Sequence, residues 1–465
     1  MKKLGILCLV LSLLLLAMPA AALGATADPS VTGGCHSVDA ALPLSDSGQL
    51  ADTATAAMIY ERNSDTMIYS WNPDGKIYPS SMVKLMTALV ALDRGQLDDE
   101  VTVTKRALSS VAPGSVSAGL VAGEELTLEQ LLYCMMVASA NDAATVIAEH
   151  IAGNQDTFVA MMNDKATELG CSGTHFSNVH GLHDEETYTT ARDICRITDA
   201  ALDNEIFRAM FVAESYTIPA TNKSEAREIW TTNYMMSTHS RKDYFDSRVT
   251  GGKTGATDEA GRCLVATAEG SGMELITILM GAKPEYTADG MSLKRFGSFE
   301  ETRQLLDYAF ENYEYRQILY SGQTVSQLPV KDGTNSVVTC PAVSASTVLP
   351  KDLDMTKLTW LYGDPGTISA PVQKGQVLST VQVWYGSKCL AQTELVAMNA
   401  VPVWQAPTQV TPPDTVDGTA VWTVVLILAC AVLALLILAV GVVLLRRLIR
   451  NARYRRRRNK RQRSR

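Results

Sequence analysis

The sequence predicts an α+β protein: an antiparallel sheet packed by a cluster of helices, then a small all-β domain and one apolar helix near the C-terminus. Three observations carry this. Strand-like runs stand at both ends of the long first region with helical periodicities between them, a segregated rather than alternating order. After about Tyr315 the texture changes to short β-like runs with turn signals at Lys331-Asp-Gly and Gly363-Asp-Pro-Gly. The stretch from Thr419 to Leu445 contains no charged residue, and at about 1.5 Å per residue it is long enough to cross a hydrocarbon core of roughly 30 Å.

Taken in order, Lys2 and Lys3, the apolar run Leu4 to Met18 and an A-x-A pattern at Ala25 to Ala27 read as a secretory signal peptide over residues 1–27. Residues 28–50, rich in Ala, Ser, Gly and Asp, read as a flexible leader. Two apolar runs flank Arg62 to Asp65, a hairpin signal that opens a folded domain over residues 51–312. Helical patterns follow at Met82 to Arg94, closed by Gly95, at Thr127 to Ala138 and at Asn141 to Ile151. The segment CLVATAEGSGMELITILMGA reads as two strands joined by a Glu-Gly-Ser-Gly turn, and Glu300 to Phe310 is helical again. Residues 316–405 form the small β domain, 406–418 a Pro/Thr linker, 419–445 the membrane helix and 446–465 a basic tail.

The chain has 465 residues, 46% hydrophobic and 19% charged, room for two or three domains with real cores and too apolar for a disordered chain. Its formal charge of −8 is asymmetric: Lys2, Lys3 and the twelve Arg and Lys residues from Arg446 onward contribute +14, leaving −22 on the rest. An acidic body argues against nucleic-acid binding, which needs clustered cations on the folded surface. Under the positive-inside rule the basic tail stays in the cytoplasm and the acidic body outside, on a single-pass cell-membrane protein. The nine cysteines show no CxxC pair or Cys/His cluster, so neither a metal nor a disulfide scaffold is expected, and Cys134, Cys195 and Cys263 read as buried thiols.

Chemistry concentrates in three short motifs. Ser81-Met-Val-Lys84 is the only S-x-x-K in the chain and begins a strong helical pattern; positions three apart share a helix face, so the Lys84 amine can lie against the Ser81 hydroxyl. A serine needs a base to become nucleophilic, and an amine serves only if burial or a second cation lowers its pKa. Ser139-Ala-Asn141 lies between two helical runs and can present a hydroxyl and an amide. Lys253-Thr254-Gly255 supplies a second cation in a Gly-rich segment ahead of a strand. Each motif alone is weak: Ser70-Trp-Asn72 also matches S-x-N.

In the order S-x-x-K, S-x-N, K-T-G they match the set of β-lactamases and penicillin-binding proteins. The flanking text PSSMVKLMTALVAL, GEELTLEQLLYCMMVASANDAATVIAEH, FSNVHGL, TTARDICRI and GGKTGATDEAGRCLVATA resembles the D-alanyl-D-alanine carboxypeptidases over roughly residues 50–312, and APVQKGQVLSTVQVWYGSKCLAQTELVA resembles that family's C-terminal β domain. The resemblance implies a β-lactamase/transpeptidase-like catalytic domain and an acyl-enzyme route without a cofactor. Ser81 is then the nucleophile, Lys84 its base, and Ser139, bridged to Lys253, the proton donor to the leaving amine. Asn141 would hold the substrate amide, Lys253, Thr254 and Gly255 the terminal carboxylate, and the backbone N–H groups of Ser81 and Ala256 the oxyanion. The implied partners are a peptidoglycan stem peptide ending in D-Ala-D-Ala, β-lactam antibiotics as inhibitors, and the cytoplasmic membrane through the C-terminal helix. Ala256 stands where the family often has His or Tyr, Thr250 where it often has Asp, and S-A-N replaces the commoner S-G-N.

Other readings are weaker. A class A type β-lactamase would need a Glu-x-x-x-Asn element between Asn141 and Lys253, which is missing. A D,D-endopeptidase would use the same site on another bond. A catalytically silent penicillin-binding or cell-wall-binding module has no chemical need for all of these residues. His175, His180 and His183 read as loop or core residues, and Met135, Met136, Met161 and Met162 as core. Tyr60, Trp71 and Tyr78 belong either to the cleft or to the core.

Overall fold

The computed structural model describes residues 48–239, 241–288, 293–386, 388–406 and 418–462; the expected signal peptide and most of the leader and linker lie outside them. Strands β1 (Ala56–Glu61), β2 (Thr66–Trp71), β3 (Val249–Thr257), β4 (Gly261–Gly270) and β5 (Met273–Ala282) form an antiparallel sheet in the order β2-β1-β5-β4-β3. The β1–β2 hairpin turns at Asp65, in the left-handed region at φ +48°, which Asp tolerates better than most residues. β1 is buried along its whole length because both faces of the sheet are covered.

On one face Met58, Tyr60, Met67, Val265 and Ile278 pack against the helices. These are α1 (Val83–Arg94), α2 (Leu128–Val137), α3 (Asn141–Ala152), α4 (Gln155–Glu168), α5 (Ala191–Leu202) and α6 (Glu205–Phe211). On the other face Ala57, Ile59, Leu264 and Leu279 meet α7 (Ser298–Asn312) through Leu305, Leu306 and Ala309. Each fully buried Leu, Ile or Met contributes roughly 1.5–3 kcal/mol of transfer free energy. Helix starts follow the sequence: Thr127 and Gln130 form a reciprocal capping box, and the Thr190 side chain accepts from the Asp193 N–H. α1 ends with the Gly95 N–H bonded to the Ala91 carbonyl.

The C-terminal part is a sandwich. β6 (Tyr313–Leu319) pairs with β9 (Ala345–Pro350), and β7 (Ser326–Leu328), β8 (Val337–Pro341), β10 (Leu358–Tyr362), β11 (Val377–Tyr385) and β12 (Lys388–Ala397) form a sheet in the order β7-β8-β12-β11-β10. Its core joins Ile318 and Leu349 to Val381, Val383 and Leu395. Tyr313 and Val348 reach into the core under α7, and the Val348 N–H donates to Ser64 Oγ at 3.4 Å. One compact unit therefore runs through both parts to Val403.

The second unit carries α8 (Gly418–Gln462), an apolar helix long enough to cross a membrane. It continues past Leu445 into the basic tail, because Arg and Lys are good helix formers and no breaker intervenes. Cys134, Cys171, Cys195, Cys263 and Cys340 are buried free thiols, Cys430 is free and exposed, and Cys389 is disulfide-bonded.

Candidate active site

The three motifs meet where α1, the α2–α3 link and the edge strand β3 converge. Ser80 to Met82 form a single 3₁₀ turn leading into α1, with Ser81 partly exposed and Lys84 one turn on, fully buried. Lys84 Nζ donates to Ser81 Oγ at 3.1 Å, to Asn141 Oδ1 at 2.7 Å and to the His180 carbonyl at 2.5 Å. Three oxygens thus fix the amine beside the hydroxyl. Burial first, and then the positive charge of Lys253, push the Lys84 amine well below its ordinary pKa.

Ser139 reaches the cleft because the three-residue link between α2 and α3, Ala138 to Ala140, turns through the left-handed region, with Ser139 at φ +61°. Its Oγ accepts from Lys253 Nζ at 2.8 Å, and the same amine donates to the Thr254 carbonyl at 2.9 Å. Lys253 is 1% exposed, and burial lowers its pKa to about 7. Asn141 starts α3; since its carbonyl oxygen is engaged by Lys84, the group it can offer a substrate is its amide NH₂.

Lys253-Thr254-Gly255 does not stand ahead of a strand: it lies within β3, with Lys253 opposite Val265 on β4. The glycines that hide this strand in the sequence are needed for close packing. A side chain at Gly255 would place Cβ 2.2 Å from Ser80 Oγ and 3.1 Å from the Ser81 nitrogen. β3 backbone and the nucleophile turn are therefore in contact, which brings the expected oxyanion donors, the Ser81 and Ala256 N–H groups, to one place. From the other side Gly181, at φ +85°, comes so close that a Cβ would lie 1.9 Å from the Ser80 carbonyl oxygen. Ser80 itself sits at φ +48°, strain of about 1–3 kcal/mol held by these two contacts.

Several contributors escape sequence reasoning. The Thr232 hydroxyl is 2.5 Å from that of Thr254, and no motif marks it. Asp142, next to the S-x-N motif, accepts from Ser117 Oγ and from the Ala118 and Leu120 N–H groups at 2.6–3.1 Å, pinning the segment before α2. Asn178 Oδ1 accepts from the Gly181 N–H at 2.7 Å and shapes the loop that presents the His180 carbonyl. Adjacency to a motif is a usable signal for Asp142; Thr232 offers none.

The three histidines do not converge. His180 is buried, accepts from the Leu182 N–H through Nδ1, and has its pKa lowered to about 4 by burial and then by Lys84. His175 bonds the Glu186 carbonyl, while His183 meets Tyr78 edge to face at 4.7 Å. Among the described residues no cluster of three or more metal-binding side chains occurs. Tyr60 is a core residue whose hydroxyl donates to Asp65 at 2.6 Å, and Trp71 is exposed at the end of β2. Thr250 bonds Thr267 across β3 and β4 at 2.9 Å.

A buried, deprotonation-prone lysine on a serine, and a second lysine on a second serine, can carry out nucleophilic acyl transfer with proton relay. Known proteins agree with this chemistry. Residues 45–284 match the family model described as D-alanyl-D-alanine carboxypeptidase, and residues 313–403 match that of the penicillin-binding protein 5 C-terminal domain. The chain is 32% identical over 358 residues to the D-alanyl-D-alanine carboxypeptidase DacF of Bacillus subtilis, covering 75% of this chain and 86% of that relative. To DacC of Escherichia coli it is 29% identical over 367 residues, covering 75% and 84%. A crystal structure of penicillin-binding protein 5 from Haemophilus influenzae superposes with a TM-score of 0.58 at 29% identity, covering 75% of this chain and 98% of that one.

Proposed function

The chain belongs to the D-alanyl-D-alanine carboxypeptidase family, and from that premise we propose how its residues remove the terminal D-alanine of a peptidoglycan stem pentapeptide. Lys84 takes the Ser81 proton as Oγ attacks the carbonyl carbon of the penultimate D-alanine. The Ser81 and Ala256 N–H groups bind the oxyanion. As the C–N bond breaks, the leaving amine takes a proton from Ser139, which recovers one from Lys253, and the proton that Lys84 took from Ser81 passes on to Lys253, so that Lys84 is neutral again. Water then hydrolyses the ester with Lys84 again as base, and the serine is regenerated. Penicillins acylate the same oxygen.

The substrate backbone lies along β3, the uncovered edge of the sheet, with Asn141 holding an amide. Its free carboxylate meets Lys253 and the paired hydroxyls of Thr254 and Thr232, with Gly255 leaving room for the backbone. The observation that carries this reading is the double contact Lys84–Ser81 and Lys253–Ser139, two buried amines each on its own hydroxyl. An exported chain held by α8, with the basic tail in the cytoplasm and the catalytic part outside, suits a cell-wall substrate on the outer face of the membrane; the apolar helix and the charge asymmetry support it. We assign residues 51–312 to the catalytic domain and 316–405 to the β domain on the same footing.

The test is D-alanine release from a muramyl-type pentapeptide by the full chain in detergent, beside labelling with a fluorescent penicillin. Both should vanish in Ser81→Ala while the circular dichroism spectrum is unchanged. Wild type that is labelled at Ser81 yet releases no D-alanine would move the activity to another bond, and an unlabelled wild type would end the enzymatic reading.

A further inference from the structure

One apolar surface of the β domain takes no part in the chemistry above. β10 is the edge strand of its sheet and, among the described residues, pairs only with β11, Trp360 opposite Val383 and Tyr362 opposite Val381. Val381 and Val383 are fully buried in the sandwich core, so Trp360 and Tyr362 continue that core face past the part that β6 and β9 cover. They are 37% and 53% exposed; Leu361, on the opposite face, is 49% exposed, Met355 just before the strand 41%, and Val377 at the start of β11 49%. No charge interrupts Leu358 to Tyr362. Long apolar edges are normally blunted by Lys, Pro or a bulge, and this one is not.

The strip has a direction. Its Leu358 end lies opposite Tyr385, next to the β11–β12 hairpin whose Lys388 feels the charge of Asp65 in the catalytic part. Its Tyr362 end points the other way, toward the place where Val372 pairs with Val401 and Gly333 with Val403 and the chain leaves the domain. Only eleven residues lie between Ala406 and Gly418, and an extended chain covers at most about 3.6 Å per step, so the twelve steps of the tether span no more than roughly 43 Å.

We propose that this edge, with Trp360 and Tyr362 on one side, Leu361 on the other and Met355 and Val377 beside them, rests on the outer surface of the lipid bilayer. The proposal rests on the reading of α8 as a membrane anchor. A tether of that length holds the domain at high effective concentration next to the bilayer, so a patch too small to bind from solution suffices. Trp and Tyr, with an apolar ring and a polar tip, are the side chains that settle at headgroup level, and Leu and Met supply aliphatic surface beneath. The bilayer contact would hold the β domain, and through the shared core the catalytic cleft, in one orientation above the membrane.

The test uses the full chain reconstituted into phosphatidylethanolamine and phosphatidylglycerol vesicles whose acyl chains are brominated near the headgroup. Trp404→Phe and Trp422→Phe remove from the signal the tryptophan just before the tether and the one in the helix. Bromine should then quench tryptophan emission, and the quenching should disappear with Trp360→Phe and fall at least twofold with Leu361→Ser plus Tyr362→Ser, penicillin labelling confirming the fold of each variant. A chain that floats with the vesicles but is quenched equally with and without Trp360 overturns the proposal and leaves the anchor standing. A chain that does not float removes the anchor and the proposal together. Shielding of Trp360 from aqueous iodide that grows with protein density, without bromine quenching, assigns the strip to a second copy and also overturns it.

Discussion

At the residue scale the site depends on two lysines withdrawn from water. Lys253 shows what that costs the fold: with a folded pKa of about 7 against an ordinary 10.5, the folded chain binds fewer protons than the unfolded one between these values. Stability should therefore rise with pH across that window, by up to about 1.4 kcal/mol per pH unit, and the full penalty applies below about pH 7. Lys253→Met should remove the Lys253 share of this slope in urea unfolding followed between about pH 7 and 9, leaving the share of Lys84, whose amine is lowered too. The same variant removes a positive charge that lowers the Lys84 pKa, so the acidic limb of Ser81 acylation should move to higher pH. An unmoved limb would uncouple the two amines.

Thr232 makes a different kind of contribution. Its hydroxyl fixes that of Thr254, so one proton of the pair remains free for a carboxylate. Thr232→Val should raise KM for a peptide with a free C-terminus roughly tenfold, the equivalent of one net hydrogen bond of about 1–1.5 kcal/mol, while kcat changes less and Thr232→Ser stays near wild type. Steady-state kinetics on the peptide and its C-terminal amide would show it, since the amide should be indifferent to the change. Ser81, Lys84, Ser139, Asn141 and Lys253, which the structure brings together, were marked as candidates in the sequence because residue type at short, fixed spacing makes their motifs visible. Thr232 was not, because a threonine acquires a role only from the strand it lies beside.

At the element scale, the helices and the outer strands were legible from periodicity and caps, as the capping box at Thr127 and Gln130 illustrates. β3 was not. Gly251, Gly252 and Gly255 argue against a strand by propensity, yet β3 needs them because Phe211, Asn233 and Ser80 occupy the space where their side chains would be. Gly255→Ala would push β3 and the nucleophile turn apart. Since misplacement of about 1 Å can cost a hundredfold in rate, acylation by penicillin should fall about a hundredfold in a chain that still folds, measured by stopped-flow labelling. Acylation within tenfold of wild type would mean that the turn adapts. Ser80 and Ser139 at positive φ belong to the same scale: both are turns that local propensity disfavours and that neighbouring elements impose.

At the scale of the whole molecule, charge and hydropathy divide the chain into an acidic folded body, an apolar helix and a basic end, and this division needs no coordinates. The boundary within the body does. Tyr313 and Val348 belong to the core beneath α7, so the β sandwich and the catalytic part are built into one compact unit rather than strung together. The exposed strip on β10 exists for a related reason: β6 and β9 are too few strands to cover all of a five-stranded sheet.

The sequence by itself determined the α+β class, the helices, the apolar span and the set of candidate reactive side chains, since each is encoded over a few residues by type, spacing or period. Only the tertiary structure decided that Ser81 and Lys253, far apart in the chain, share a cleft, that both amines lose their protons readily, that Thr232 supports Thr254, and that Trp360 faces outward. These are matters of burial and of contact between distant segments, and they are settled by which surfaces the folded chain can cover.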